Sequence, residues 1–158
     1  MRIGSGYDIH RLVPERTFFL GGVKIDYPKG LLGHSDGDVL LHALCDALLG
    51  AAGLGDIGDF FPDSDAALRN ANSAAFVESI FRLIHDDHGY DIANVDCTVF
   101  ARAPRLGGYR DDIRKNLAWL LHVEPGAVNV KFKSMNELGS VGKGDAVAAQ
   151  VVLLLESQ

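Results

Sequence analysis

Ser35-Asp36-Gly37-Asp38-Val39-Leu40-Leu41-His42-Ala43-Leu44-Cys45-Asp46-Ala47-Leu48-Leu49-Gly50 is the stretch where the period of the chain changes. Upstream, glycines interrupt every run. From Asp38 onward the apolar residues recur with helical spacing, and at 100° per residue Leu40, Ala43, Leu44, Ala47 and Leu48 share one broad face. That pattern predicts an amphipathic helix with Ser35 or Asp36 as N-cap and Gly50 or Gly53 as stop. A polar stripe runs along it: Asp38, His42 and Asp46 stand at i, i+4 and i+8, within about 80° of one another. Leu41, Cys45 and Leu49 flank the stripe, so it suits a site better than plain solvation.

Working outward, residues 2–13 read as a strand in which Gly4 and Gly6 permit a bend or close backbone approach. A second strand region covers Phe18–Ile25, interrupted by Gly21-Gly22, and Lys29 to Asp38 reads as a loop by its glycines. A Gly/Asp/Pro-rich loop spans Leu54 to Asp65. Ser73–His88 is a second amphipathic helix with Phe76, Ile80, Leu83 and Ile84 inward and Gly89 at its end. Val95, Cys97 and Val99 alternate with polar neighbours as a strand, residues 109–122 form a third helix, 128–133 alternate again, and 146–155 make a last, largely buried strand. The sum is one α+β domain over residues 1–158, a single sheet with helices packed on one face.

At 158 residues the chain fits one domain and is long enough for a real core. Fifteen Lys and Arg against 21 Asp and Glu give a net charge of −6 with no basic block, which excludes a nucleic-acid or anionic-membrane binder. Cys45 and Cys97 have no second cysteine nearby, so neither a disulfide framework nor a cysteine zinc site is expected. The N-terminal residues lack an apolar core of signal-peptide type, and Val151 to Leu155 is far too short to span a bilayer, so a cytoplasmic protein is expected. A hydrophobic content of 47% beside 23% charge favours an oligomer with buried apolar interfaces.

Asp8 and His10 are two apart in a strand and leave the same face. Together with His42 they make a ligand set for a borderline divalent ion such as zinc, with a fourth tetrahedral position open, as in catalytic sites. A carboxylate from the next turn of the helix is an alternative ligand, and His34 competes with His42. Because His34 lies with Ser35 and Gly37 just before the helix, it reads better as an anion contact. His85, His88 and His122 sit near helix C-termini, where a cation is favoured without any special role. The acid-rich segments Asp56-Ile57-Gly58 and Phe61–Asp65 suit hydroxyls or a magnesium ion, or simple turn chemistry. Ala101 to Gly107 follows a strand end and can offer backbone groups to a planar base, with Arg102 or Arg105 for phosphate. Lys131, Lys133, Ser134, Ser140 and Lys143 concentrate positive charge and hydroxyls in the last third, the one place besides a metal where this acidic chain could compensate a polyphosphate.

These segments, in order and over almost the whole chain, resemble the 2-C-methyl-D-erythritol 2,4-cyclodiphosphate synthase family, the ring-closing enzymes of the non-mevalonate isoprenoid pathway. The resemblance rests on Arg2–His10, Gly21–Ile25, Lys29–His42, Asp46–Ala52, Leu54–Gly58 with Phe61–Asp65, and Ala101–Arg105. It implies a homotrimer of ferredoxin-like subunits with active sites at the interfaces. Asp8, His10 and His42 would hold zinc or another divalent ion whose fourth ligand is a substrate phosphate oxygen, and Asp8 and His10 would thereby also touch substrate. His34 and Ser35 would contact the phosphate region. Asp56, Ile57 and Gly58, with Phe61, Pro62, Asp63, Ser64 and Asp65, would hold the methylerythritol part. Ala101, Arg102, Ala103, Pro104, Arg105, Leu106 and Gly107 would enclose cytosine. Lys133, Ser134, Met135 and Asn136 would meet the diphosphate from a neighbouring subunit, with Ser140 and Lys143 completing the set. His34 and Ser134 take the catalytic roles, and Mg2+ or Mn2+ bridges the substrate phosphates. The partner is a small cytidine diphosphate ester, not nucleic acid or membrane.

The implied reaction needs no strong base, because the attacking 2-phosphate is already an anion near neutral pH. Positioning and charge neutralisation are what the protein must provide. One departure concerns the second metal: Asn136 stands where the family carries Glu, and Glu137 follows one place later. Either Asn136 is a weaker oxygen ligand, or Glu137 bends in, or the substrate phosphates carry the ion. Ser5 and Ser140, where some relatives carry His and Phe, read as tolerated variation. A zinc phosphoesterase using Asp38 or Asp46 as base, and a trimeric binder without turnover, are the other readings of the same residues.

Overall fold

The computed structural model describes residues 1–158. Strand β1 (Arg2–Pro14) carries the two glycines that decide how closely a helix can lie on it. A Cβ on Gly4 would stand 1.9 Å from the Ala47 carbonyl oxygen, and one on Gly6 would stand 1.9 Å from that of Ala43. Only residues without a Cβ admit helix α1 (Val39–Ala52) at that distance. The helix is therefore buried almost all round. Val39, Leu40, Leu41, Leu44, Leu48 and Leu49 are fully inside, leaving His42 and Asp46 as its half-open positions before the last turn, where Gly50 and Ala52 reach the surface.

The cap of α1 is Asp38, three residues beyond the expected Ser35 and two beyond Asp36. Its carboxylate accepts Leu41 N–H at 3.1 Å, Gly21 N–H at 2.9 Å and Gly22 N–H at 2.7 Å. Gly21 and Gly22, both at positive φ, turn β2 (Phe18–Leu20) into β3 (Val23–Ile25). The single interrupted strand expected here is thus a two-stranded hairpin whose turn is pinned to the start of α1. Burial pushes the Asp38 carboxyl above the usual carboxylate range, while the Gly22, Leu41 and Gly21 N–H groups hold it down. The expected stop is in place, with Gly53 ending α1 at φ 76°.

The expected loop from Lys29 opens with a strand instead. β4 (Lys29–Leu31) pairs with the far end of β1, Leu12 opposite Leu31. After α1 come a short helix α2 (Ile57–Phe60) inside the acid-rich loop, then α3 (Ser73–Arg82). The helix expected to run to His88 widens into a π turn over Leu83–Asp87. β5 (Tyr90–Phe100), α4 (Arg110–Leu120), β6 (Val128–Lys133), α5 (Gly139–Lys143) and β7 (Ala146–Ser157) complete the chain.

The main sheet has the order β4-β1-β7-β5-β6, so the fold carries two sheets rather than the single one expected. β7 lies antiparallel to β1 and β5, and β5 is parallel to β6, so β1, β5 and β6 run the same way. The connectivity is βαβαββ, which corrects the ferredoxin-like expectation of βαββαβ. The difference lies at the second helix: α4 stands between β5 and β6 and makes them parallel neighbours, and β7 then returns antiparallel between β1 and β5. One face of the sheet, with Val147, Ala149, Val151, Leu153 and Leu155 of β7, packs on the helices. The other face is mostly uncovered and keeps Ile3 72% exposed and Tyr7 56% exposed. Only at one end does α5 reach across it, Val141 packing with Ala146, Ala148 and Phe100. Cys45 and Cys97 are buried free thiols, and burial pushes Cys97 up to about 12. No helix is long and apolar enough to cross a membrane.

Candidate metal and substrate site

Asp8 and His10 leave β1 on the same side as Gly4 and Gly6, the side on which α1 lies. Because the glycines let α1 down onto β1, His42 arrives within reach of both. His10 Nε2 is 2.7 Å from Asp8 Oδ2, His42 Nδ1 is 3.1 Å from the same oxygen, and the two ring nitrogens are 3.2 Å apart. Four-coordinate zinc with ligands at about 2.0–2.1 Å sets neighbouring ligand atoms about 3.3 Å apart, so the three atoms fit one ion. They are the one group of His, Cys, Asp and Glu side chains that converges in this way. Each ring also has an outer partner: His10 Nδ1 meets the Leu32 carbonyl at 2.5 Å, and His42 Nε2 lies 2.9 Å from Ser73 Oγ and 3.0 Å from Ser35 Oγ.

The electrostatics match a cation site. Burial would raise the Asp8 carboxyl, but hydrogen bonds and positive charge from His10 and His42 hold it well below the usual carboxylate range. Burial opposes the charged form of His10, yet its hydrogen bond and attraction to Asp8 leave its pKa raised. The ligand set of the sequence reading stands together, with His42 and not His34 as the third member.

The three residues form one wall of a cleft of about 610 Å³. His34, Ser35, Ile57, Gly58, Phe61, Pro62, Asp63 and Ser64 line it as well, so eight further expected substrate contacts share the space. Ser35 turns its hydroxyl inward to His42 and Ser73. Asp46 lines the same cleft and accepts Ile57 N–H at 2.9 Å, tying the acid-rich loop to α1. Burial pushes the Asp46 carboxyl up, and the nearby Asp56 and Asp8 charges push it further, against the Ile57 N–H. Asp38 lies outside the cleft, fully buried, which removes it as a base. Asp56 caps α2, accepting Gly58 N–H at 2.9 Å, and Asp65 caps the next turn through Ala67 N–H. In both, the turn chemistry of the acid-rich loop is realised.

The remaining expected residues form a second group. Ala101 to Gly107 leaves the end of β5, and Ala101 N–H donates to the Lys133 carbonyl at the end of β6. Arg102 donates to the Gly142 carbonyl at 3.3 Å and pairs with Glu137 at 3.3 Å, binding this loop to the segment that carries Ser134, Ser140 and Lys143. Glu137 is therefore engaged with Arg102. Met135, Asn136 and Glu137 all have positive φ, and Asn136 N–H points back to Ser134 Oγ at 3.5 Å. Both groups sit at the end of the sheet where β1, β5 and β6 finish. They are two to three strands apart, about 10–15 Å at the usual strand spacing, and share no cleft within one chain.

Sequence reasoning missed Phe76, stacked on Phe61 at 4.3 Å, and the pair Asp36 and Ser73 behind His42. In the sequence Asp36 is only a candidate cap, and Ser73 only the start of a helix. Their meeting across 37 residues leaves no local signal.

Comparison with known proteins agrees with this geometry. The model of the YgbB family matches residues 1–156. The 2-C-methyl-D-erythritol 2,4-cyclodiphosphate synthase of Clostridium acetobutylicum is 47% identical over 155 residues, covering 98% of this chain and 99% of that one. The Plasmodium falciparum IspF in complex with CDP superposes with a TM-score of 0.87 at 39% identity, covering 99% and 96% of the two chains. The bifunctional IspDF of Campylobacter jejuni superposes with a TM-score of 0.91 at 36% identity; this chain covers 42% of that longer protein and 99% of its own length. With the fold, the cleft and these matches in agreement over the whole length, the chain belongs to the YgbB family, the family of the 2-C-methyl-D-erythritol 2,4-cyclodiphosphate synthases.

Proposed function

We propose that this protein converts 4-diphosphocytidyl-2-C-methyl-D-erythritol 2-phosphate to 2-C-methyl-D-erythritol 2,4-cyclodiphosphate and CMP. The observation that carries the reading is the convergence of Asp8, His10 and His42 in a cleft whose other wall is the acid-rich loop. A 2-phosphate oxygen attacks the β-phosphorus, the bond from that phosphorus to the α-phosphate oxygen breaks, and CMP leaves with the electron pair. A divalent ion held by Asp8, His10 and His42 supplies Lewis-acid polarisation of the phosphoryl oxygens. The chain's own part is positioning. The Ile57–Gly58 turn, fixed by Asp46, and the Phe61–Ser64 segment hold the polyol, while His34, which lines the same cleft, meets the transferring phosphate.

We assign the ion as zinc, from the two-His, one-Asp donor set. The base-binding loop Ala101–Gly107 and the Lys133–Asn136 segment, with Ser134 as the second catalytic residue, come from a neighbouring copy in a homotrimer. Two features support that assembly. Within one chain the half-sites line no common cleft, and the sheet face beside them exposes Ile3 and Tyr7. A magnesium or manganese ion would neutralise charge on the substrate phosphates, and this chain would offer it only the neutral oxygen of Asn136, since Glu137 is paired with Arg102. The cytoplasm, which holds the cytidine nucleotides, is the place of the reaction.

The test is phosphorus NMR of the purified protein with this substrate, zinc and magnesium. A cyclic diphosphate with stoichiometric CMP is the expected result. CMP with an open-chain bisphosphate would mean a phosphoesterase with Asp46 as base, and unchanged substrate would mean a binding protein.

A further inference from the structure

Behind His42, on the side away from Asp8 and His10, lies a closed chain of hydrogen bonds that the reaction scheme does not use. Ser73, the first residue of α3, is fully buried, and its Oγ lies 2.5 Å from Asp36 Oδ1 and 2.9 Å from His42 Nε2. The proton count fixes the directions. A carboxylate only accepts, so the single Ser73 O–H proton goes to Asp36. Ser73 then has only lone pairs for His42, whose Nε2 must carry the proton. Ser35 fits the same order: its Oγ accepts Gly37 N–H at 3.3 Å, shares the His42 N–H at 3.0 Å, and turns its own proton to Ser73 at 3.3 Å. Every polar atom has a partner, and the ring is left with a bare Nδ1 directed at Asp8 and His10.

We propose that Ser73, held by Asp36, is the positioning residue of His42: it accepts the Nε2–H hydrogen bond, locks the ring in that tautomer and aims Nδ1 at the cation. The inference rests on the reading of Asp8, His10 and His42 as a divalent-cation site. The two histidines are thus oriented by different means. His10 is held by a backbone carbonyl that no substitution can remove, whereas His42 depends on side-chain hydroxyls, the nearer one, at 2.9 Å, delivered by Ser73 from another helix and the second, at 3.0 Å, by Ser35. The entry of α3 into the fold is thereby coupled to the metal centre. Outer partners of this kind set ligand basicity and orientation, and their loss costs about 10–100-fold in metal affinity.

Ser73→Ala tests this cleanly, because the Ser73 backbone N–H keeps its own bond to Asp36 Oδ2 at 2.9 Å when the hydroxyl is gone. Zinc affinity is measured by competition with a chromophoric chelator for the parent, S73A, H42A and N72A. Asn72 caps α3 through Ala74 N–H, so N72A loosens the same helix start without touching the hydroxyl. We expect S73A to bind zinc about 10–100-fold more weakly, H42A to lose the site, and N72A to match the parent. An S73A affinity equal to the parent, or an equal loss in N72A, overturns the role of Ser73 while leaving the metal site standing. If H42A binds zinc like the parent, the site reading fails and the inference fails with it. A long-range proton–nitrogen spectrum of the zinc-loaded parent gives a second test that needs no variant. A His42 ring protonated at Nε2 and metal-shifted at Nδ1 is expected, and the reverse pattern refutes the proposal.

Discussion

Gly6→Ala is the substitution whose effect the structure specifies most sharply. The added carbon would stand 1.9 Å from the Ala43 carbonyl oxygen, and reaching ordinary van der Waals contact at 3.4 Å demands about 1.5 Å of movement. The obstacle is helix backbone, so no rotamer change relieves it; α1 must lift off β1. Overpacking of this kind costs about 1–3 kcal/mol and occasionally more, which lowers the melting temperature by roughly 2–12 °C in a domain of this size. The second consequence falls on the metal site. Ala43 is the neighbour of His42, so the lift carries Nδ1 away from Asp8 and His10, whereas metal sites tolerate only about 0.2 Å. Zinc affinity should therefore fall much further than stability alone accounts for. Calorimetric melting of the metal-free protein and zinc competition would measure the two effects separately. Gly50→Ala is the control. Gly50 lies on the same helix with nothing within 4 Å of a new Cβ, and alanine there should stabilise by about 0.5–1 kcal/mol. Gly6→Ala with unchanged melting and unchanged zinc affinity would refute the close-approach account of how this site is assembled.

Further expectations concern single groups. Asp38→Ala strands the buried Gly21 and Leu41 N–H groups and leaves that of Gly22 to solvent, and should cost on the order of 2–6 kcal/mol, read by denaturant unfolding. Asp46→Ala frees the Ile57 turn and should raise KM for the diphosphate substrate far more than it lowers melting temperature, which steady-state kinetics beside melting would check. Asn136→Glu should tighten the magnesium dependence of turnover; an unchanged magnesium titration would mean that position 136 is no ligand. Metal-free and zinc-loaded protein should respond oppositely to pH. Burial opposes the charged His10, but Asp8 raises its pKa, so the imidazolium's contribution is complete below about 6.5 and fades as pH climbs through the raised value. The depressed Asp8 works the other way, contributing above about 3.8 and failing only as pH falls through its folded value. The metal-free protein should accordingly gain stability as pH drops from 8.5 toward 6.5, while zinc, which needs neutral His10, binds more weakly over the same interval. Melting curves with and without zinc at each pH would show parallel slopes if the assignment were wrong.

What could be read from the sequence was whatever a short window contains. The helical period from Asp38, the alternation of 128–133 and the shared face of Asp8 and His10 are local facts, and the structure keeps all three. The two glycines of β1 were legible as permission for close approach, though not as contact with the backbone of α1 in particular. The misreadings arose where a distant group decided the outcome. The cap of α1 is Asp38 because the hairpin turn at Gly21 and Gly22 presents N–H groups there, and β4 forms only because the end of β1 offers an open edge at Leu12. The ferredoxin-like expectation came with the resemblance and failed at the second helix, which residues 109–122 already place between two strands, while nothing within residues 146–155 says which two strands they will enter. The same limit governs the site. Asp8, His10 and His42 could be picked out because chemistry restricts what ligands look like, but a hydroxyl that orients a ligand looks like any other serine. Ser73 becomes visible only when α3 is docked on α1, and so the residues that tune this centre are less legible than the residues that form it.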